Sequence, residues 1–392
     1  MQERINIVMN SQNSKKELSV QESLFNEDEE RNQLIEQEKN DEVVPIEKPY
    51  DPKLIDIRPR TVSLYNIIKR LKENEIDLYP DFQRNADLWN PQKQSLLIES
   101  ILIKIPLPAF YFDGVNDDKW QVIDGLQRLC VINNFVVSKK LKLTGLEYLN
   151  QFDGYSFDDL PRTYQRQIEE AEIITYIMTS ATQDVKYNIF KRINTGGVVL
   201  NPQEIRNALN QGIPSDFISE LANLQSFKEV VMLSEKRMVD KEFVTRFITF
   251  YLNRPEEYKP DLDTFMSNAM SELKNLSLDE RNGIKQNFMA SMCLAEEIFG
   301  KWSFRKVFKK DDKRLYPINK ALFEVWSVLF AKLSDIERQK IIGVKESVFN
   351  DYIQLLNEDD NFVSAVTSQT DNKNKIIYRF SKIEQLLKNR TQ

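Results

Sequence analysis

The stretch Val122-Ile123-Asp124-Gly125-Leu126-Gln127-Arg128 runs an apolar strand end straight into an Asp-Gly turn and the first turn of a helix. This junction constrains the fold more than any other part of the chain, because it fixes where a strand stops and its covering helix begins. Polar side chains packed into such a turn are where folds build sites for charged ligands. Ala109 to Asp113 and Lys119 to Asp124 are short apolar runs around the loop Gly114–Asp118, which reads as a hairpin. The junction therefore sits on a strand–strand–helix unit, with the helix predicted over Leu126 to Val136. The chain has no histidine. Any chemistry at the turn must come from carboxylates, amides, hydroxyls, arginines and lysines.

The surrounding signals predict a mixed α/β domain over 49–213 and an all-helical domain over 214–392, an α+β chain. Its 392 residues suit roughly two domains. Residues 1–48 hold twelve acidic and six basic side chains, a surplus equal to the whole chain's net charge of −6. This acidic leader is expected to be disordered or loosely helical, a solvated tail ahead of a docking arm. The balanced remainder argues against a purely electrostatic DNA binder, though not against a local basic groove. Cys130 and Cys293 stand far apart in apolar, helical contexts, without a CxxC or a histidine, so zinc is not expected. No apolar run approaches a membrane span. The expectation is a soluble protein of a reducing compartment, the cytoplasm, with no membrane association.

Prolines mark Tyr50 to Arg60 as a linker. Ser63 precedes a helix with Leu64, Ile67, Ile68 and Leu71 on its apolar face. Asn90-Pro91 begins another, a capping amide followed by proline in the first turn. Glu172 to Met178 reads as a strand and Gln183 to Ile193 as an amphipathic helix. Asn201-Pro202-Gln203-Glu204 has the form of a capping box. Helices are predicted over Phe217–Leu224, Asp240–Leu252, Asp261–Leu273, Leu278–Phe299, Ile318–Leu333 and Asp335–Ile342.

At the junction, Gly125 allows the turn and the close approach of a ligand. The backbone N–H groups that follow favour an anion. Arg128 carries a planar fork suited to phosphate. Asp124 could hold Mg²⁺ or orient a water, and Gln127 could position a nucleophilic water. The competing reading is an Asp–Arg salt bridge that braces the turn. A second pair, Gln83-Arg84, could bring another guanidinium to the same polyanion, or could be an unrelated surface pair. Asn194-Thr195-Gly196-Gly197 could form a nest of N–H groups or a helix C-cap.

Three runs together resemble a known family: YPDFQRNADLWNPQKQSLLIESILIKIPLPAFYF (79–112), WQVIDGLQRLCVINNF (120–135) and FKRINTGGVVLNPQEIRNAL (190–209). In order and spacing, roughly residues 60–210 look like the N-terminal domain of GmrSD-type restriction endonucleases. The resemblance implies a ParB/sulfiredoxin-like fold marked by an Asp-Gly-Gln-Gln-Arg motif. The later helical part looks like the extension of stand-alone members that lack the C-terminal nuclease. The implied activity is that of an NTP-binding and NTP-hydrolysing sensor acting on DNA in anti-phage defence. Its cofactor would be NTP with Mg²⁺, and its partners DNA and a separate nuclease or defence-system subunit.

Carried onto this chain, the motif falls on Asp124, Gly125, Gln127 and Arg128, with Gln83 and Arg84 as a second wall. Asp124, Gln127 and Arg128 are the candidate catalytic residues and Asp124 the candidate metal ligand. Gln83, Arg84, Gly125, Arg128, Asn194, Thr195 and Gly197 are the candidate phosphate contacts. Leu126 stands where the family has its first Gln, which sets a non-catalytic regulatory module that recruits a nuclease beside the hydrolase. The family's nuclease half uses a histidine-dependent motif, which a histidine-free chain does not supply. Elsewhere, Lys301, Arg305, Lys306, Lys309 and Lys310 interleave with Trp302, Phe304 and Phe308. That pattern suits either a phosphate-tracking surface or an amphipathic helix with a wet lysine face.

Overall fold

The computed structural model describes residues 35–36, 56–78, 89–180, 185–186, 188–189, 193, 201–231, 236–259, 261–310 and 314–391. The chain forms two compact units, Glu47–Leu209 and a second made of Met1–Ile46 with Asn210–Gln392.

The first unit is built on a mixed five-stranded sheet. Its strands are β1 (Asp56–Ser63), β2 (Ile76–Asp77), β3 (Phe110–Asp113), β4 (Trp120–Asp124) and β5 (Glu172–Ser180), in the order β1-β5-β3-β4-β2. β5 lies antiparallel to β1 and parallel to β3, and β4 antiparallel to β3 and parallel to β2. β1 corrects the expectation of a linker there. It is an edge strand, and an edge tolerates Pro59, which has no N–H to give a ladder. Helices α1 (Leu64–Lys72), α2 (Pro91–Leu102), α3 (Leu126–Ile132) and α4 (Arg162–Glu170) join it. The four predicted apolar residues of α1 are all buried, although the Ser63 side chain makes no capping bond. α2 starts as predicted: the Asn90 side chain accepts from the Lys93 N–H at 2.8 Å and Pro91 opens the helix.

The sheet face carrying Phe110, Phe112, Val122, Ile173 and Ile177 is buried in one core with Ile67, Ile98, Ile101 and Leu129 of the helices. Glu99, only 2% exposed on α2, fastens the loop after α3. Its carboxylate accepts from the backbone N–H groups of Glu147, Tyr148 and Leu149 at 3.0, 2.7 and 2.8 Å. Burial alone would raise its pKa, but the three N–H groups outweigh burial and hold it below the ordinary value. After α3 the chain continues as a π-helical turn, Asn133–Val137, where one α-helix was expected to run to Val136. The unit ends with α5 (Pro202–Leu209), whose predicted capping box forms between Asn201 and Glu204 in both directions.

The second unit is helical among its described residues: α6 (Ile213–Ala222), α7 (Gln225–Val230), α8 (Val239–Leu252), α9 (Leu262–Glu272), α10 (Leu278–Phe299), α11 (Lys320–Lys332), α12 (Asp335–Gly343), α13 (Lys345–Glu358), α14 (Asp360–Thr367) and α15 (Lys373–Thr391). Its core is strongly aromatic: Phe243 packs on Phe323, Phe247 on Phe288, and Trp326 on both Phe299 and Tyr352. Glu324 of α11 is fully buried among them. It pairs at 2.5 Å with Arg246 of α8 and at 2.5 Å with Arg379 of α15, so three helices meet on one carboxylate. Of the acidic leader, Ile35 and Glu36 are described. Ile35 forms a bridge with Ile318, and the Glu36 N–H donates to the Ile318 carbonyl at 2.8 Å.

Candidate functional site

Gly125 takes φ +99°, the left-handed region that favours glycine, and a Cβ built there would sit 2.5 Å from the Phe110 ring. The turn between β4 and α3 is therefore closed down onto the start of β3, and this closeness decides what Arg128 does. Its guanidinium donates to Asp124 at 2.9 Å, to the Ala109 carbonyl at 3.2 Å and to the Pro108 carbonyl. The guanidinium carbon also lies 4.4 Å from the Phe110 ring centroid. Arg128 is 8% exposed, and burial lowers its pKa against the opposing pull of Asp124. An arginine remains a cation in such a place. The arrangement is a brace: one side chain ties the strand end, the motif carboxylate and the entry to β3 together.

Asp124 is less enclosed. Its side chain keeps 31% of its exposure while one oxygen holds Arg128. The result is a carboxylate fixed in direction and still reachable. Gln127, two residues into α3, accepts a long hydrogen bond of 3.4 Å from the Trp89 N–H. Trp89 is in turn held through its carbonyl by Gln94, at 2.6 Å. The motif helix is thus tied to the chain just beyond residues 79–88. Gln83 and Arg84 fall within that stretch and lie outside the described residues, as do Asn194, Thr195 and Gly197.

Two features near the turn were not singled out from the sequence. Asp113, at the end of β3, is nearly buried and forms an ion pair with Lys186. Tyr111, two residues before Asp113 on β3, stacks on Tyr176 of β5 with ring centroids 4.8 Å apart and planes 12° apart. Burial raises the pKa of the Tyr111 phenol, and the neighbouring Tyr176 and then Asp124 add to the effect. Strand alternation carried a signal for this pair. In Phe110-Tyr111-Phe112 the two phenylalanines share the buried face, and the tyrosine points to the other.

The basic segment of the second unit is not the amphipathic helix considered above. Gly300–Trp302 is a single 3₁₀ turn, and Phe304 has φ +58°. The aromatic residues serve the core all the same. Phe304 is buried, and Trp302 and Phe308 pack against the same cluster. Arg305 is also buried, donating to the Tyr316 carbonyl at 2.5 Å, with its pKa lowered by burial. Lys306 pairs with Glu36 of the leader at 2.7 Å, and Lys310 pairs with Glu346. Lys301 is exposed and lies 4.4 Å over the Trp302 ring, and Lys309 is exposed. Of the five candidate DNA contacts, three are thus engaged within the unit. Cys293 is exposed on its helix, against the apolar setting expected, and Cys130 is buried.

Residues 64–211 match the family described as GmrSD restriction endonuclease, N-terminal domain. These residues belong to that family. No curated protein and no solved structure matches the chain. The matched GmrSD N-terminal domain holds the whole sheet except β1, together with the braced turn. Membership suggests a role in restriction or anti-phage defence. Among the described residues no helix is long and apolar enough to cross a membrane. None of their carboxylates and thiols gather in groups of three or more that could hold a metal ion.

Proposed function

We propose that this GmrSD N-terminal domain handles a nucleoside triphosphate at the Asp124 corner and that the chain acts on DNA in restriction or anti-phage defence. The observation that supports this reading is the unequal exposure of the motif pair. Arg128 is enclosed and holds Asp124, while Asp124 remains partly open at the strand end. A preset, accessible carboxylate is what a site needs to orient a water or a cation. Mg²⁺ is commonly held by one or two carboxylates together with phosphate oxygens and water, so a single Asp124 fits it. When bound, the metal would supply charge neutralisation for the phosphates. Gln127, anchored by its carbonyl to Trp89, has its amide nitrogen to place a water or a ligand oxygen. Arg128 acts here as a positioning residue. The phosphate side is assigned, on sequence grounds, to Gln83, Arg84, Asn194, Thr195 and Gly197.

The second reading is a non-catalytic nucleotide- or DNA-binding module that recruits a partner nuclease. Leu126 in place of the motif's first Gln favours it, as does the fourfold engagement of Arg128. Calorimetric titration of the full chain with nucleoside triphosphates and Mg²⁺, beside a phosphate-release assay, tests both. Binding that Asp124→Ala abolishes, with turnover lost in Gln127→Ala, supports the hydrolase. Saturable binding without phosphate release selects the module. A wild type that binds neither nucleotide nor DNA removes both.

A further inference from the structure

The strand register sets four residues in one row across the sheet. Pro59 of β1 pairs with Tyr176 of β5, Tyr176 with Tyr111 of β3, and Tyr111 with Asp124 of β4. Residues directly opposite on neighbouring strands present their side chains to the same face, so Pro59, Tyr176 and Tyr111 form an apolar row. It leads, strand by strand, to the motif carboxylate. A register shift between Tyr111 and Phe112 makes Asp124 the partner of Tyr111. Bulges of this kind re-aim a side chain at the end of a pairing.

The two faces of β5 differ sharply. Ile173, Thr175 and Ile177 are buried beneath the helices, whereas Ile174 is 49% exposed and Tyr176 is half-buried. Tyr111 is half-buried as well, and Pro59 and Thr61, opposite Tyr176 and Ile174, are exposed. The two rings are already parallel and stacked at 4.8 Å. In the next place of the row stands a short carboxylate in place of a third ring. A planar heterocycle would continue the stack there, beside Asp124. Aromatic platforms bind bases in this way because every base has a π-face.

We infer that Tyr111 and Tyr176 form a stacking platform for a nucleobase beside the Asp124 corner. The inference rests on the nucleotide reading above and assigns it the base-binding residues. The base could belong to a free nucleotide or to single-stranded DNA, and the two arms of the test separate these sources.

The full chain is titrated with a purine nucleoside triphosphate, with a short single-stranded oligonucleotide and with inorganic tripolyphosphate. Wild type, Tyr111→Leu, Tyr111→Trp and Asp124→Ala are compared. Loss of one stacked base lowers affinity by roughly 5- to 150-fold. Tyr111→Leu is expected to weaken binding of the base-containing ligand by that factor and to leave tripolyphosphate unchanged, and Tyr111→Trp is expected to restore it. Weakening confined to the triphosphate identifies a free nucleotide, and weakening confined to the oligonucleotide a DNA base. If Tyr111→Leu binds like wild type while Asp124→Ala loses binding, the platform is wrong and the nucleotide reading stands. If the wild type binds none of the three ligands, both fail. Should Tyr111→Leu not fold, photocrosslinking of a halogenated nucleotide to the wild type decides. Attachment at Tyr111 or Tyr176 supports the platform, and attachment elsewhere overturns it.

Discussion

The two units each close an arginine onto a carboxylate, and they do so to opposite ends. Glu324 is fully buried between Arg246 and Arg379, which are 4% and 1% exposed. Arg379 further donates to the Thr370 carbonyl at 2.6 Å and the Ala365 carbonyl at 3.2 Å, so the charges are sealed and paired. In the α/β unit Arg128 is as well held as these arginines, but its carboxylate partner keeps an open side. The lesson is that pairing alone does not mark a site. Accessibility of the carboxylate separates a charge that locks helices together from one that can still meet a ligand.

Glu324→Gln breaks the sealed half of the comparison and has the largest expected effect. It leaves two buried guanidinium groups facing a neutral amide, a loss of about 3–5 kcal/mol by analogy with broken buried pairs. Chemical denaturation should show this as a lowered midpoint, and a change below 1 kcal/mol would mean that solvent reaches the triad. Arg128→Met should cost about 1–3 kcal/mol, because two backbone carbonyls and Asp124 lose their donor. Asp124→Asn should cost less than that in stability yet abolish ligand binding. Equal losses in both variants would make the open corner as structural as the sealed one.

Glu99 supplies a pH test between these extremes. Its pKa is lowered in the folded state, so its contribution is fully present above the unfolded carboxylate value near 4.5. It declines as pH falls through the lower folded value. Glu99→Gln should therefore be less stable than wild type at neutral pH, and the two should converge in acid. Denaturation midpoints from pH 7 to pH 3 check the sign. The smallest effect is expected for Glu36→Ala or Lys306→Ala, about 0–1 kcal/mol, as for partly exposed pairs generally. The double substitution should cost little more than either single one.

Much of this was legible because the signals are local. Asn90-Pro91 and Asn201 with Glu204 announce helix starts within four residues, and Asp124-Gly125 announces the strand-to-helix turn. β1 was not legible because Arg58, Pro59 and Arg60 look like linker, and only pairing with β5 makes them a strand. α14 follows α13 without a glycine or proline to separate them, its start capped by Asp359 alone. At the site, the chemistry of Asp124 could be read, but the assignment of Arg128 could not. Two of its partners are the backbone carbonyls of Pro108 and Ala109, which leave no trace in side-chain identity. The Glu324 triad and the Tyr111–Tyr176 row likewise depend on contacts between distant segments.

The leader contact has a consequence for how the protein is made. Glu36 also accepts a hydrogen bond from the Asn319 side chain at 3.0 Å, across 283 residues of sequence. On a ribosome the leader emerges well before its receiving surface, which follows 283 residues later. At roughly 5–20 residues per second the gap lasts on the order of tens of seconds. Throughout that time the whole α/β unit is synthesised between the two halves of the contact. The helical unit is thus built from segments on both sides of an inserted α/β unit, and Ile35 and Glu36 can be seated only after Ile318 and Asn319 have been made.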